Sequence, residues 1–155
     1  MIIRKAKQTD IPKLLKLWYK LMLFHRKKSS SSLDLSNDSD VKWLAWVKKW
    51  MRSPDGLVLI AQENKRIVGY SLNHIKANVK IYKLKKLGHM CDLYVETEYR
   101  KKCIASAFKK EVFAWFKKKK MEYASIAVHS INPQAHKIYK KWGFRDQHIE
   151  MRKKL

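Results

Sequence analysis

Between His89 and Lys120 the chain sets a run of strand formers, a cationic turn and a helix start in direct succession. Met90-Cys91-Asp92-Leu93-Tyr94-Val95 passes through Glu96-Thr97-Glu98-Tyr99 into Arg100-Lys101-Lys102-Cys103-Ile104-Ala105-Ser106-Ala107. A helix N-terminus carries unpaired N–H groups and the positive end of the helix dipole, so a basic turn leading into one suits a phosphate-bearing ligand. The plain alternative is a solvated lysine-rich turn. Metal chemistry is not indicated, because His25, His74, His89, His129, His136 and His148 show neither HxxxH nor HExxH spacing. Cys91 and Cys103, the only cysteines, lie too far apart for a CxxC pair, which speaks against a disulfide scaffold and a structural zinc site. Cys103 beside cationic residues has the setting of a reactive thiol, and equally of a small buried filler.

The elements that must hold this stretch follow from periodicity. Ile104, Phe108, Val112, Trp115 and Phe116 recur at helical spacing behind the turn. Met121 to His129 contains Tyr123-Ala124-Ser125-Ile126-Ala127-Val128, without clean polar alternation, which fits a strand buried on both faces. Strand, helix and second strand form a crossover with parallel strands, and the turn lies at their carboxyl ends, where open sheets bind ligands. Asn132-Pro133 starts a short helix with Ala135, Ile138, Tyr139 and Trp142 on one face, and Gly143 stops it. Phe144 to Leu155 offers one or two closing strands with Ile149 and Met151 inward.

Upstream, Met1 to Lys7 reads as a strand with Ile2 and Ala6 inward. Thr9-Asp10-Ile11-Pro12 starts a helix with a capping side chain and an early proline. Leu14, Leu15, Trp18, Leu21 and Met22 carry that helix to Phe24 or His25. Ser29-Ser30-Ser31-Ser32 opens a polar loop through Asp40. Its Asp34, Asp38 and Asp40 fit either a landing site for a cationic acceptor or loop solubility and helix capping. A second helix spans Val41 to Met51 with Trp43, Leu44, Val47 and Trp50 on one stripe, ended by Ser53-Pro54-Asp55-Gly56. Leu57 to Gln62 and Ile67 to Lys76 form an antiparallel hairpin across Glu63-Asn64-Lys65-Arg66. Asn78 to Leu87 is a strand extension or a loop.

Length bounds this to one domain, since 155 residues can bury about two thirds of the unfolded surface. A hydrophobic share of 46% with six tryptophans excludes a disordered chain. The 36 basic and 13 acidic residues give a net charge of +23, enough to attract polyanions, so nucleic-acid binding is a second class of function. No apolar run approaches the roughly 20 residues of a membrane span and no signal region follows Met1, so a soluble cytoplasmic protein without a membrane partner is expected.

Leu93-Tyr94-Val95, Glu98-Tyr99-Arg100, the turn to Ala105, His129-Ser130-Ile131-Asn132 and the segment from Ala135 through Tyr139 to Gly143-Phe144 together resemble the GCN5-related N-acetyltransferase family, and within it the polyamine branch. The resemblance implies a single α/β domain over the whole chain. Its mixed, splayed β-sheet would have about six or seven strands, accompanied by about four helices. It implies acetyl-CoA in the splay, an amine acceptor that is a polyamine, a small molecule or a protein lysine, and a family in which homodimers are frequent. The pantetheine arm would pair with the backbone of Leu93, Tyr94 and Val95 as an added strand does. The pyrophosphate would sit on N–H groups from Arg100 to Ser106, with Arg100, Lys101 and Lys102 at the remaining phosphates and Cys103, Ile104 and Ala105 forming the cradle. Cys103 stands where that family usually has glycine, and its side chain would oppose a positive φ or crowd the phosphates.

The same resemblance makes Tyr139 the general acid that protonates the departing sulfur. It also makes Asn132 a pantetheine partner, with Ala135 beside it, and an N–H near Leu93 or Tyr94 the donor that polarises the carbonyl. Asp92 and Glu96 are the candidate bases, with His89 reachable. Cys91 falls where the polyamine branch tends to carry a carboxylate, and the period of two aims Asp92 at the opposite face of the strand. His129, Trp18, Trp43 and Trp46 would line the acceptor side or simply pack in the core. The alternative to the enzyme is a non-catalytic module of this fold that binds nucleic acid or another polyanion.

Overall fold

A computed structural model of the chain describes residues 1–26 and 34–153, so the expected break at Ser29 to Ser32 and the final two residues lie outside the described part. The elements in order are β1 (Ile2–Lys5), α1 (Ile11–Arg26), α2 (Ser39–Arg52), β2 (Gly56–Glu63), β3 (Arg66–Ala77), β4 (Lys86–Val95), α3 (Ile104–Lys118), β5 (Ala124–Ile126) and α4 (Pro133–Lys141). The five strands form one sheet in the order β1-β2-β3-β4-β5, antiparallel except for the parallel pair β4 and β5. None of the described helices is long and apolar enough to cross a membrane.

Helices cover both faces of the sheet, and the chain therefore has two cores. Leu14, Leu17, Trp18, Trp43 and Val47 from α1 and α2 meet Val58, Ile60, Tyr70, Leu72 and Tyr94 on one face. On the other face Ile104, Phe108, Val112 and Phe116 of α3 meet Leu57, Leu59, Val68, Met90 and Val95. With both faces covered, β3 is buried without a break from Ile67 to Ile75, and Asn73 is tolerated there because its Nδ2 donates to the Leu57 carbonyl. The β2–β3 turn places Asn64 and Lys65 at φ of 46° and 64°, the pair of positive angles that a two-residue hairpin turn requires.

Several expectations are corrected by packing. Ile2 is 64% exposed, and Ile3 is the β1 residue that packs against a core. Asp10 does not cap α1. Its carboxylate turns back to accept two bonds from the Arg4 guanidinium, at 2.7 and 3.0 Å, and one from the Lys7 N–H at 2.7 Å. Of the two readings open for Asn78 to Leu87, residues 78–85 form the loop between β3 and β4, and Lys86 and Leu87 already belong to β4. The last parallel strand is three residues long and only half buried, and the described residues after Phe144 form no strand, so the sheet has five strands and not six or seven. Ile149 and Met151 are 87% and 89% exposed, where the alternation had placed them inward.

Candidate active site

The feature that organises the site is a bulge in β4. Leu72 of β3 faces Asp92 and the next residue, Asn73, faces Met90, so Cys91 is an extra residue with no partner opposite it. A bulge shifts the alternation by one. Met90 and Val95 consequently point to the α3 face, whereas Cys91, Asp92 and Tyr94 point to the α1–α2 face. The expectation that Cys91 and Asp92 look in opposite directions fails for this reason.

Just beyond the bulge the sheet opens. β5 pairs with β4 only at Gly88↔Ala124, His89↔Ser125 and Met90↔Ile126, while β4 continues to Val95. Gly88 begins this pairing, and a side chain there would meet the Phe116 ring at 2.5 Å, so α3 packs this closely on β4 only because glycine is present. In the opening lies a cavity of about 70 Å³ lined by Asp92, Tyr139, Asn132, His25 and His129 together with apolar groups such as Leu21. Cys91, Leu93 and Ala135 also reach it. β4 and α4 with its N-cap thus bring the expected acid, one expected base and the expected pantetheine partner into one space.

Burial acts on the titratable groups of the cavity in different ways. Asp92 Oδ2 accepts from Tyr70 Oη at 3.1 Å and Trp43 Nε1 at 3.4 Å. Burial raises its pKa above the ordinary carboxylate value, against the two bonds that lower it. Burial also pushes the Tyr139 phenol up to about 12, so it is protonated throughout the neutral range. Its ring packs against Trp142 and Phe144. Asn132 caps α4 through Oδ1, which accepts from the Ala135 N–H at 3.1 Å, and the residue lines the cavity. Burial and the neighbouring His129 lower the pKa of His25.

Glu96 lies apart from this group. It is 5% exposed at the end of β4, with Lys20 Nζ of α1 donating to Oε1 at 2.5 Å and Tyr94 Oη donating to Oε2 at 3.4 Å. It is not among the cavity residues. His89 is also elsewhere, 2.7 Å from Ser125 Oγ, and burial holds it down at about 4. Cys91 Sγ lies 3.0 Å from His74 Nδ1, and burial beside Asp92 pushes the thiol up to about 12, which makes it inert as a nucleophile. His74 in turn stacks on Trp50 at 4.1 Å, with Trp46 at its edge. Trp18 and Trp43 are core residues stacked on each other, and Trp43 alone also serves the site through its indole N–H.

The basic turn is built from unusual backbone. After a single helical turn over Thr97–Tyr99, Lys101 and Cys103 adopt φ of 61° and 59°, and Cys103 directly precedes α3. Cys103 is exposed, so it is not a buried filler. The left-handed angle that glycine usually supplies is therefore taken by a cysteine, at a cost of roughly 1–2 kcal/mol. Arg100 Nε donates to the Val95 carbonyl at 3.0 Å and closes the turn onto the end of β4. Lys102 rests over the Tyr99 ring at 5.0 Å. Ile104, Ala105 and Ser106 open α3, whose first four N–H groups have no carbonyl one turn back within the helix.

Sequence reasoning missed Tyr70, Trp43 as a donor, Lys20 and His25. Tyr70 and Lys20 lie 22 and 76 residues from the carboxylates they serve, so no local spacing could have revealed them. Of the acidic loop residues, Asp34 pairs with Arg26 at 3.2 Å and Asp38 with Lys42 at 2.9 Å, Asp40 accepts from the Val41 N–H, and the Asp38 side chain makes no capping bond at the start of α2.

The fold is shared with solved structures. A tetramutant of the BH1408 protein from Bacillus halodurans superposes with a TM-score of 0.81 at 21% identity over 100% of both chains. A predicted acetyltransferase with acetyl-CoA from Clostridium acetobutylicum gives 0.80 at 19% identity over 97% of this chain and 95% of the other. The aminoglycoside antibiotic 6'-N-acetyltransferase AAC(6')-IG from Acinetobacter haemolyticus gives 0.75 at 18% identity over 100% and 99%. No curated protein matches by sequence. The model of the acetyltransferase (GNAT) family matches residues 18–144, and with that span covering most of the chain, the protein belongs to this family.

Proposed function

We propose that this protein transfers the acetyl group of acetyl-CoA to a primary amine. The observation that carries the reading is the parting of β4 from β5 beyond Met90↔Ile126, with Asp92, Asn132 and Tyr139 gathered in the cavity at that point. The residues fit the coenzyme at three places. Backbone of β4 beyond Met90 has no β5 partner and can take the amide-rich arm, with Leu93 at the cavity and the Val95 carbonyl already held by Arg100. The amide of Asn132 faces the same arm. The opening N–H groups of α3, with Arg100, Lys101 and Lys102 beside them, suit the pyrophosphate and the ribose phosphate. Cys103 and Ala105 form the wall of this cradle, and the Cys103 side chain is its weakest fit.

Bound acetyl-CoA would supply an acyl group activated as a thioester. Asp92 takes a proton from the incoming ammonium and so exposes the nitrogen lone pair. A backbone N–H of β4 near Leu93 or Tyr94 stabilises the carbonyl oxygen as negative charge grows on it. Tyr139 donates its proton to the sulfur as the carbon–sulfur bond breaks and the carbon–nitrogen bond forms. It recovers a proton when the acylated nitrogen sheds its second one. Glu96 serves a different purpose in this scheme: paired with Lys20, it fixes the end of β4 against α1. The non-catalytic polyanion-binding alternative has no comparable observation behind it. Calorimetric titration with acetyl-CoA tests the reading, with saturable binding expected and no binding at millimolar coenzyme contradicting it.

A further inference from the structure

Among the described residues, Asp92 is the only carboxylate lining the cavity, and no lysine or arginine lines it. Both bonds that it accepts come from neutral donors and converge on Oδ2, so among the described residues it has no cationic partner. That is unusual in a chain with 36 basic residues. Among the carboxylates near α1 and β4, Glu96 is paired with Lys20, Asp34 with Arg26 and Asp38 with Lys42, and Asp40 accepts from the Val41 N–H. The protein therefore offers an acceptor one carboxyl group without a cationic partner among the described residues, in a narrow, partly apolar space with Leu21, Ala127 and Val128 in its walls. Outside that space the field of a +23 molecule opposes every further positive charge the acceptor carries.

Resting on the acetyltransferase reading, we infer that the acceptor is a slender primary alkylamine on a body without further positive charge, its single ammonium received by Asp92. A polyamine has the opposite design: one ammonium would meet Asp92, and the rest would meet the field of a +23 molecule. An acceptor whose body carries an acid gains from the same field.

Three probes with one aminoalkyl arm and different bodies separate these cases: Nα-acetyl-lysine, its amide, and cadaverine. Initial rates of thiol release from acetyl-CoA give kcat/KM for each at low and at moderate salt. The expected order is Nα-acetyl-lysine, then the amide, then cadaverine, with roughly a tenfold or larger gap between the extremes at low salt. The gap contracts as salt screens the field. Cadaverine equal to or better than Nα-acetyl-lysine at low salt overturns the inference on charge. Transfer to none of the three, with acetyl-CoA still bound in calorimetry, overturns the alkylamine class. Absence of acetyl-CoA binding instead overturns the acetyltransferase reading beneath it.

Discussion

Tyr70 Oη donates to Asp92 Oδ2 across 3.1 Å, a bond between neighbouring strands that, with the bond from Trp43 to the same oxygen, leaves Oδ1 without a hydrogen-bond partner among the described residues. The bond lowers the pKa of Asp92 against the larger raising effect of burial. If ionised Asp92 is the base, kcat/KM rises with pH through that raised value and then levels. Tyr70→Phe removes a bond that favours the ionised form, so the acid limb moves to higher pH. Asp92→Asn removes the limb and lowers kcat by about 100-fold. A pH–rate profile of the three proteins checks both, and an unmoved limb in Tyr70→Phe would exclude Asp92 as its source.

Tyr139→Phe keeps the ring that packs against Trp142 and Phe144 and removes only the hydroxyl. Stability should change by less than about 0.5 kcal/mol. The expected kinetic result is a fall in kcat of about 100-fold or more with nearly unchanged affinity for acetyl-CoA. Equal losses of affinity and turnover would show a packing role.

Cys103→Gly relieves a left-handed residue at the start of α3. The gain at that angle exceeds the extra freedom of glycine in the unfolded chain, so net stability should rise by roughly 0.5–1 kcal/mol. Removing the side chain from the cradle should also tighten acetyl-CoA binding in calorimetry. Unchanged affinity would mean that the Cys103 side chain does not face the phosphates.

Glu96 and Lys20 should behave as a structural pair. Lys20→Met leaves a buried carboxylate without its cation and costs about 1–3 kcal/mol in urea denaturation. Because Glu96 does not reach the cavity, Glu96→Gln should keep kcat within a few-fold of the parent. A loss as large as that of Asp92→Asn would restore Glu96 as a base.

Arg4 donates to both oxygens of Asp10 and, with the Lys7 N–H, holds that carboxyl below its ordinary value. A lowered folded-state pKa contributes stability above the unfolded value of about 4, and that contribution is lost as pH falls through the lowered one. Asp10→Asn should therefore cost about 1–2 kcal/mol near neutrality. The gap between the two proteins should close as the denaturation experiment is moved to acid pH.

The sequence by itself determined the elements whose cause is local. The apolar stripes of α1, α2 and α3 predicted those helices because their 3.6-residue period is a property of the chain, and Asn132, Pro133 and Gly143 bounded α4 by their own backbone chemistry. The hairpin of β2 and β3 and the parallel pairing of β4 with β5 were legible for the same reason. So was the family, whose motifs lie in the turn before α3 and in α4.

Only the tertiary structure decided what depends on partners distant in sequence. The bulge at Cys91 comes from the register of β4 on β3, and it turned Asp92 toward Tyr70 and Trp43 instead of leaving it opposite Cys91. Lys20 reached Glu96 because α1 packs on β4, which removed Glu96 from the cavity that Asp92 shares with Tyr139. Alternation gave Ile149 and Met151 an inward face, but a strand forms only beside a neighbouring edge, and among the described residues none pairs with them. Residue type and spacing thus fixed which groups were available, while strand register and helix packing chose which of them meet.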